Sequence, residues 1–489
     1  MSDAAHRLVL RGALATGAGF LVKLGARLGL LLVAGRLFGA ALFGAYSLGV
    51  AAVESGVGLA GLSLKKVIFR LLDANEAMGE ERRPPGHVVA DAAVLVLGAS
   101  GALAVVVMAT TAIVVGGLPL TKAGAAVFWL APAVAGQTLV DIQLAASRWR
   151  NAIRYEVVGR SMVEPYTQLA VAVAMWAAGA PAWALIAGYW AGNVTVNAYA
   201  FIGLRRCFGS LELASYRPDR QRLVDILRTL LPNTATDVLG GIYSRIDLYI
   251  VGAMLGTHWA GVYSMAQQVC TPIRQVRQSF DALLIPLVAR TVAIKGAAAT
   301  GTALASAARL VLAIQLPVVL ALLAVGRLLL HAFGPGFEAG YAALVLLAAA
   351  EAVQAAFGTG DLLFVYLNPR VGLTQTGAGI VVGTATALLL LPVLGITGGA
   401  VAVLAGYLLR AGMRAWAVRR RFGVTVPLAH PAGPLIAAAV GLAAVLLVRP
   451  LNDWAALAAG LLAYGGVIAL WLRITGESLS LRGFETSAP

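Results

Sequence analysis

Apolar runs long enough to cross a lipid bilayer recur along this whole chain, and they constrain its fold more than any motif does. A hydrocarbon core of about 30 Å needs about 20 apolar residues per helix. Runs of that order occupy residues 12–35, 42–66, 88–115, 123–146, 157–178, 182–204, 232–255, 261–288, 303–331, 340–367, 372–394, 397–418, 432–449 and 454–473. Most are apolar around the full helical turn, unlike the one-sided stripes of a soluble bundle. The fold class is therefore an all-α integral membrane protein with about 14 transmembrane helices. Composition agrees: 60% hydrophobic and 12% charged residues, with a mean hydropathy of +0.84, carry more apolar surface than one soluble core of 489 residues can enclose. The first run is no cleavable signal, because Lys23 and Arg27 interrupt it and no processing site follows.

Lysine and arginine in the short connections set the orientation. One alternate set holds Lys65, Lys66, Arg70, Arg82 and Arg83, then Arg148, Arg150 and Arg154, then Arg205 to Arg228, then Arg290 and Lys295, then Arg370, then Arg419 to Arg421. The other set has little beyond Arg36, Lys122 and Arg449. Both termini are thus expected on the cytoplasmic side, which requires an even number of spans. Trp129, Trp149, Trp183, Trp259, Trp454 and Trp471 stand near span ends, as an interfacial belt requires.

Several function classes are excluded by what remains. Cys207 and Cys270 are too few for a disulfide framework and have no metal-ligand spacing, so no metal and no cofactor is expected. The net charge of +15 comes from residues between apolar runs and not from a basic, aromatic-interleaved exposed face, so nucleic acid is no partner. There is no Walker motif. Two soluble stretches have appreciable length, 73–86 and 205–231. In the second, Leu223, Ile226, Leu227 and Leu230 share a helical face, which fits an amphipathic surface helix or, equally, a solvated linker with anchoring arginines.

The chain also repeats itself. At one constant offset (252 − 35 = 217), Gly35, Gly39, Gly44, Tyr46 and Ser47 match Gly252, Gly256, Gly261, Tyr263 and Ser264 without a gap. Each segment is the turn between the first two helices of a six-helix block. Because six is even, the blocks run parallel and are related by an axis along the membrane normal. The layout is an N-lobe at 1–204, a cytoplasmic linker at 205–231, a C-lobe at 232–421, two accessory helices at 432–473 and a cytoplasmic tail at 474–489.

The segment Arg245-Ile-Asp-Leu-Tyr-Ile-Val-Gly-Ala-Met-Leu-Gly, followed by Ala260-Gly-Val-Tyr-Ser-Met-Ala, resembles the seventh-to-eighth helix signature of polysaccharide exporters in the multidrug/oligosaccharidyl-lipid/polysaccharide superfamily. Leu37 to Leu48 resembles the matching turn of the first two helices. These exporters are O-antigen and exopolysaccharide repeat-unit flippases, related to the lipid II flippase and, more distantly, to the MATE drug exporters. The resemblance implies a MATE-like two-lobed bundle in the bacterial inner membrane. It implies translocation of an undecaprenyl-diphosphate-linked oligosaccharide by alternating access, beside membrane lipids and a polysaccharide polymerase and glycosyltransferase machinery.

Charges that lipid cannot tolerate point to the site, since one at the bilayer centre costs about 2.5–3.5 kcal/mol on insertion scales. Lys23 and Arg27 lie one turn apart in helix one. Arg245 occupies the corresponding turn of helix seven, with Asp247 two residues on. Gln267, Thr271, Arg274, Gln278 and Asp281 follow a 4-3-4-3 spacing on helix eight, with Arg277 alongside. Lys23, Arg27, Arg245, Arg274 and Arg277 would form a cationic cleft suited to a diphosphate, with Gln267, Thr271 and Gln278 as its polar lining. Glu54, Asp141, Asp247, Asp281 and Glu351 would balance charge or carry a coupling proton. Lys23 and Arg27 could instead pair with Glu54, and Arg277 with Asp281. Glu164, four residues after Arg160 and just before Pro165, reads as a structural pair at a helix distortion.

No catalytic residue is expected. A membrane glycosyltransferase or polymerase would need an acidic metal site or a large extracytoplasmic loop. A MATE-like drug or cation antiporter would need a carboxylate where helix one offers Lys23 and Arg27.

Overall fold

The computed structural model describes residues 25, 27–118, 124–278, 280, 301–358, 369–422 and 432–475, and among them every regular element is helical. The chain divides into two compact units, Met1–Arg245 and Ile246–Pro489. Among the described residues, eight helical spans are long and apolar enough to cross a membrane, and a bent pair adds a ninth. That is fewer than the expected fourteen. The runs at 12–35, 261–288 and 340–367 each extend beyond the described residues.

In the first unit a π-helical turn, Ala34–Phe38, leads into α1 (Gly39–Ala60). There the sequence reading needs correction, because the run placed at 42–66 is two helices. Leu62 and Ser63 take left-handed φ angles of 50° and 55°, and α2 (Leu64–Glu76) sets off anew. Leu64, Val67, Ile68 and Leu72 on α2 are buried, while Lys65, Lys66 and Arg70 are exposed. This amphipathic helix went unread because its apolar residues continue those of α1 and hide the change of period.

Next come α3 (Pro85–Val115), with proline in its first turn where a missing N–H costs nothing, and α4 (Ala133–Trp149). A second π-helical turn, Gly159–Val163, precedes α5 (Glu164–Ala177), which is followed by α6 (Pro181–Phe208). The distortion expected beside Pro165 is that turn. The connection at 205–231 does not end in a separate surface helix. Asp219 caps α7 (Arg220–Tyr243) by accepting from Gln221 N at 2.9 Å, and the helix runs on without interruption into the seventh apolar run. The connection is tied down at Asp91 of α3, which is 1% exposed and accepts from Arg83 (2.9 Å), Arg222 (2.8 Å) and Tyr216 (2.9 Å).

The second unit opens with α8 (Ile246–Leu255) and α9 (Thr257–Val269). Gly39 and Gly256, paired by the internal repeat, have φ/ψ of 71°/176° and 86°/176°. That region is open essentially to glycine alone, so the repeat preserves a backbone joint as well as letters. Tyr46 and Tyr263, and Ser47 and Ser264, are buried in their respective units. Then follow α10 (Gly301–Phe333), α11 (Tyr341–Gly358), α12 (Pro369–Leu394) and α13 (Ile396–Phe422). The last two helices, α14 (Ala432–Val448) and α15 (Asp453–Thr475), pack with α10 through Val311, Leu312, Leu316, Ala437 and Tyr464.

Candidate functional site

In the first unit a cavity of about 420 Å³ opens among α1, α2, α4 and α7, with Glu54, Ser63, Lys65, Lys66, Asp141 and Asp237 on its walls. The left-handed corner at Leu62 and Ser63 turns both lysines toward it. Lys66 Nζ lies 2.5 Å and Ser63 Oγ 2.6 Å from the Asp237 carboxylate. Lys65 Nζ is 3.3 Å from Asp141 Oδ1, and Arg160 Nη2 approaches the same oxygen at 2.6 Å. Through Nη1, Arg160 also reaches Glu164 (2.9 Å) and Gln137 Oε1 (2.7 Å), and Gln137 Nε2 in turn donates to Glu164 at 2.9 Å.

These pairs differ in strength. The Lys65 and Lys66 side chains are 51% and 69% exposed, so their pairings are weak and exchangeable. Arg160 is held by two carboxylates and an amide with its side chain 23% exposed, which makes it a fixed strut. The π-helical turn carries Arg160 and lets it reach α4 and the first turn of α5 together.

Arg245 forms an ion pair with Glu54. Glu54 thus answers a cation of helix seven. Arg27 is half-buried in the first described turns, while Lys23 lies outside the described residues.

The second unit holds a parallel arrangement. Arg274 places Nε and Nη2 each 2.8 Å from Glu351 Oε1, and Glu351 is 3% exposed. Asp247, also buried, accepts from Tyr263 Oη and Gln267 Nε2, both at 2.7 Å. Thr271 turns its hydroxyl back to the Gln267 carbonyl at 3.4 Å. Arg277 is half-buried with its stem beside Gly358, and Gln278 is exposed. Asp281, and with it the suggested Arg277–Asp281 pair, lies outside the described residues.

The 4-3-4-3 stripe is also interrupted. The ladder of α9 gives way at Cys270, whose carbonyl accepts from Ile273 N at 3.1 Å, before helix resumes. Arg245 with Glu54 and Arg274 with Glu351 are thus brought together as cation–carboxylate pairs. Each guanidinium keeps further N–H donors beyond those its carboxylate engages.

Sequence reasoning passed over Lys65, Lys66 and Asp237 as site residues. In the sequence the two lysines are legible only as orientation markers. Asp237, which shares the seventh apolar run with Asp247, carries the usual signal of an intramembrane charge.

Among solved structures, the chain is similar to the lipid II flippase MurJ in an inward closed conformation, with a TM-score of 0.76 at 12% identity, covering 95% of this chain and 100% of that one. It is also similar to a multidrug resistance MATE family transporter of the MOP superfamily in an inward-facing conformation, with a TM-score of 0.57 at 15% identity over 82% and 94% of the two chains. A MATE protein in a bent conformation gives 0.53 at 14% identity over 87% and 96%. At such identities the likeness is one of fold. No curated protein matches the chain. Residues 89–334, half of the sequence, match the family described as polysaccharide biosynthesis protein. With its apolar helical spans, its repeated joint and the fold of MOP-superfamily transporters, this multi-pass membrane protein belongs to the polysaccharide biosynthesis protein family.

Proposed function

We propose that the chain is a flippase for undecaprenyl-diphosphate-linked oligosaccharide repeat units, moving them from the cytoplasmic to the periplasmic leaflet of the bacterial inner membrane by alternating access. Both termini are cytoplasmic, and the product feeds a polysaccharide polymerase. The observation that carries this reading is the likeness of fold, over 95% of the chain, to a lipid II flippase, in a chain of a polysaccharide biosynthesis family.

Within it, Lys23, Arg27, Arg245, Arg274 and Arg277 receive the diphosphate. Guanidinium groups replace lost hydration bidentately. Glu54 and Glu351 hold Arg245 and Arg274 when no substrate is bound, so that neither cation stands uncompensated in a low dielectric. Gln267 and Gln278 face sugar hydroxyls.

The test is reconstitution of the purified chain with a fluorescent polyprenyl-diphosphate oligosaccharide, reading protection from a membrane-impermeant quencher. Flipping is expected with the parent chain and is lost in Arg245→Ala and Arg274→Ala while both still insert.

A second reading, a MATE-like drug or cation antiporter, draws on the three carboxylates Glu54, Asp141 and Asp237 around the cavity. Proton-driven uptake of a cationic dye, with no movement of the glycolipid, would establish it instead.

A further inference from the structure

A second cavity, of about 360 Å³, lies between α12 and α13, lined by Val371, Thr374, Gln375, Gly412, Met413 and Trp416. Its walls are apolar apart from Thr374 and Gln375, and the Thr374 hydroxyl already donates to the Val371 carbonyl at 2.9 Å. Gln375 is different. It is 1% exposed, and neither its Oε1 nor its Nε2 has a partner. Among the described residues it is the one side chain with both ends of its amide buried and unanswered. An amide is kept inside an apolar wall when something meets its donor and its acceptor.

The surroundings indicate what does so. Leu408 and Trp416 on α13 are 52% and 56% exposed, as on a face turned to lipid. A side chain added at Gly412 would meet nothing within 4 Å, so the mouth is open. Arg419 and Arg420 are exposed about one turn beyond Trp416, roughly 6 Å further along the helix at 1.5 Å per residue. In the orientation proposed above, those arginines lie at the level of cytoplasmic headgroups, and the cavity lies at the depth of glycerol esters.

We propose that this cavity is a binding site for an anionic glycerophospholipid of the cytoplasmic leaflet, separate from the translocation path. The phosphate pairs with Arg419 and Arg420, and an ester carbonyl accepts from Gln375 Nε2. A water enclosed beneath the glycerol backbone donates to Gln375 Oε1, and an acyl chain lies on Val371, Met413 and Trp416. A polyprenyl diphosphate has no carbonyl below its phosphates and leaves the amide unanswered. The site therefore discriminates structural lipid from transported lipid.

Native mass spectrometry of the full chain, titrated with phosphatidylglycerol, phosphatidylethanolamine and undecaprenyl phosphate, tests this without reference to flipping. Phosphatidylglycerol is expected to be retained preferentially. Gln375→Leu, nearly equal in volume but without the amide, weakens retention about fivefold, the worth of one hydrogen bond of ordinary strength. The exposed pair Arg419→Ala/Arg420→Ala erases the preference over phosphatidylethanolamine. Gly412→Leu, whose added Cβ meets nothing within 4 Å, puts bulk at the open mouth, blocks retention and carries the test alone should Gln375→Leu fail to fold. Parent-like retention in Gln375→Leu and Gly412→Leu means that the amide meets water alone, and the proposal is wrong. Tighter binding of undecaprenyl phosphate, abolished by Gly412→Leu, overturns it as well.

Discussion

Arg160 shows how one side chain can hold a membrane helix pair together. It answers Asp141 and Glu164 at once, with Gln137 closing the circuit. Removing the guanidinium leaves two carboxylates facing each other in a poorly hydrated place. Arg160→Ala is expected to cost about 3–5 kcal/mol, the range for breaking a buried pair from one side. A thermal unfolding series in detergent measures it, with Arg160→Lys falling between the two. Tyr216 makes a gentler case outside the membrane. Burial, and then its hydrogen bond to Asp91, push its phenol up to about 12. A free tyrosine ionises near 10, so the bond contributes fully below that pH and is lost as pH rises through 12. Subtracting a near-ultraviolet tyrosinate titration of Tyr216→Phe from that of the parent isolates this group. A step near the free-tyrosine value would mean that Tyr216 is not held by Asp91.

At the scale of elements, the joint at Gly39 and Gly256 has a measurable cost of substitution. Alanine at a φ of 71° or 86° with ψ near 176° meets a conformation that L-residues avoid. A loss of about 1–3 kcal/mol per site is expected, the strain usual for sparsely populated backbone regions, and chemical denaturation of each single variant reads it. Length and apolarity made most spans legible in the sequence, and spacing made the repeat legible, because lipid imposes both directly. What stayed illegible was local and conformational. The letters at 57–72 mark the end of α1 only faintly: Gly61 caps it in helical backbone, one glycine among several in the run, and the corner itself is made by Leu62 and Ser63 in left-handed backbone. The stripe on helix eight assumed an unbroken 3.6-residue period that ends at Cys270. The pairing of Arg245 with Glu54, 191 positions away (245 − 54), depends on which helices are neighbours, and periodicity within one helix does not encode that.

For the whole molecule, the proposed outward passage of a diphosphate has an electrical consequence. Two negative charges leaving a negative cytoplasm gain roughly 2.3 kcal/mol per charge per 100 mV. Glycolipid flipping in proteoliposomes is expected to accelerate under an interior-negative potential and to slow when an ionophore collapses it. Equal rates at zero potential with no ion gradient would show that the field contributes nothing.

The shared dihedral angles of Gly39 and Gly256 bear also on which part of the repeat can be exchanged. Five residues around the joint agree without a gap, and both segments bend their opening pair of helices about the same uncommon torsion. An elbow that only glycine adopts easily leaves the least room for substitution. Grafting Gly252–Ser264 in place of Gly35–Ser47 should therefore give a chain that still folds, whereas scrambling either stretch should not.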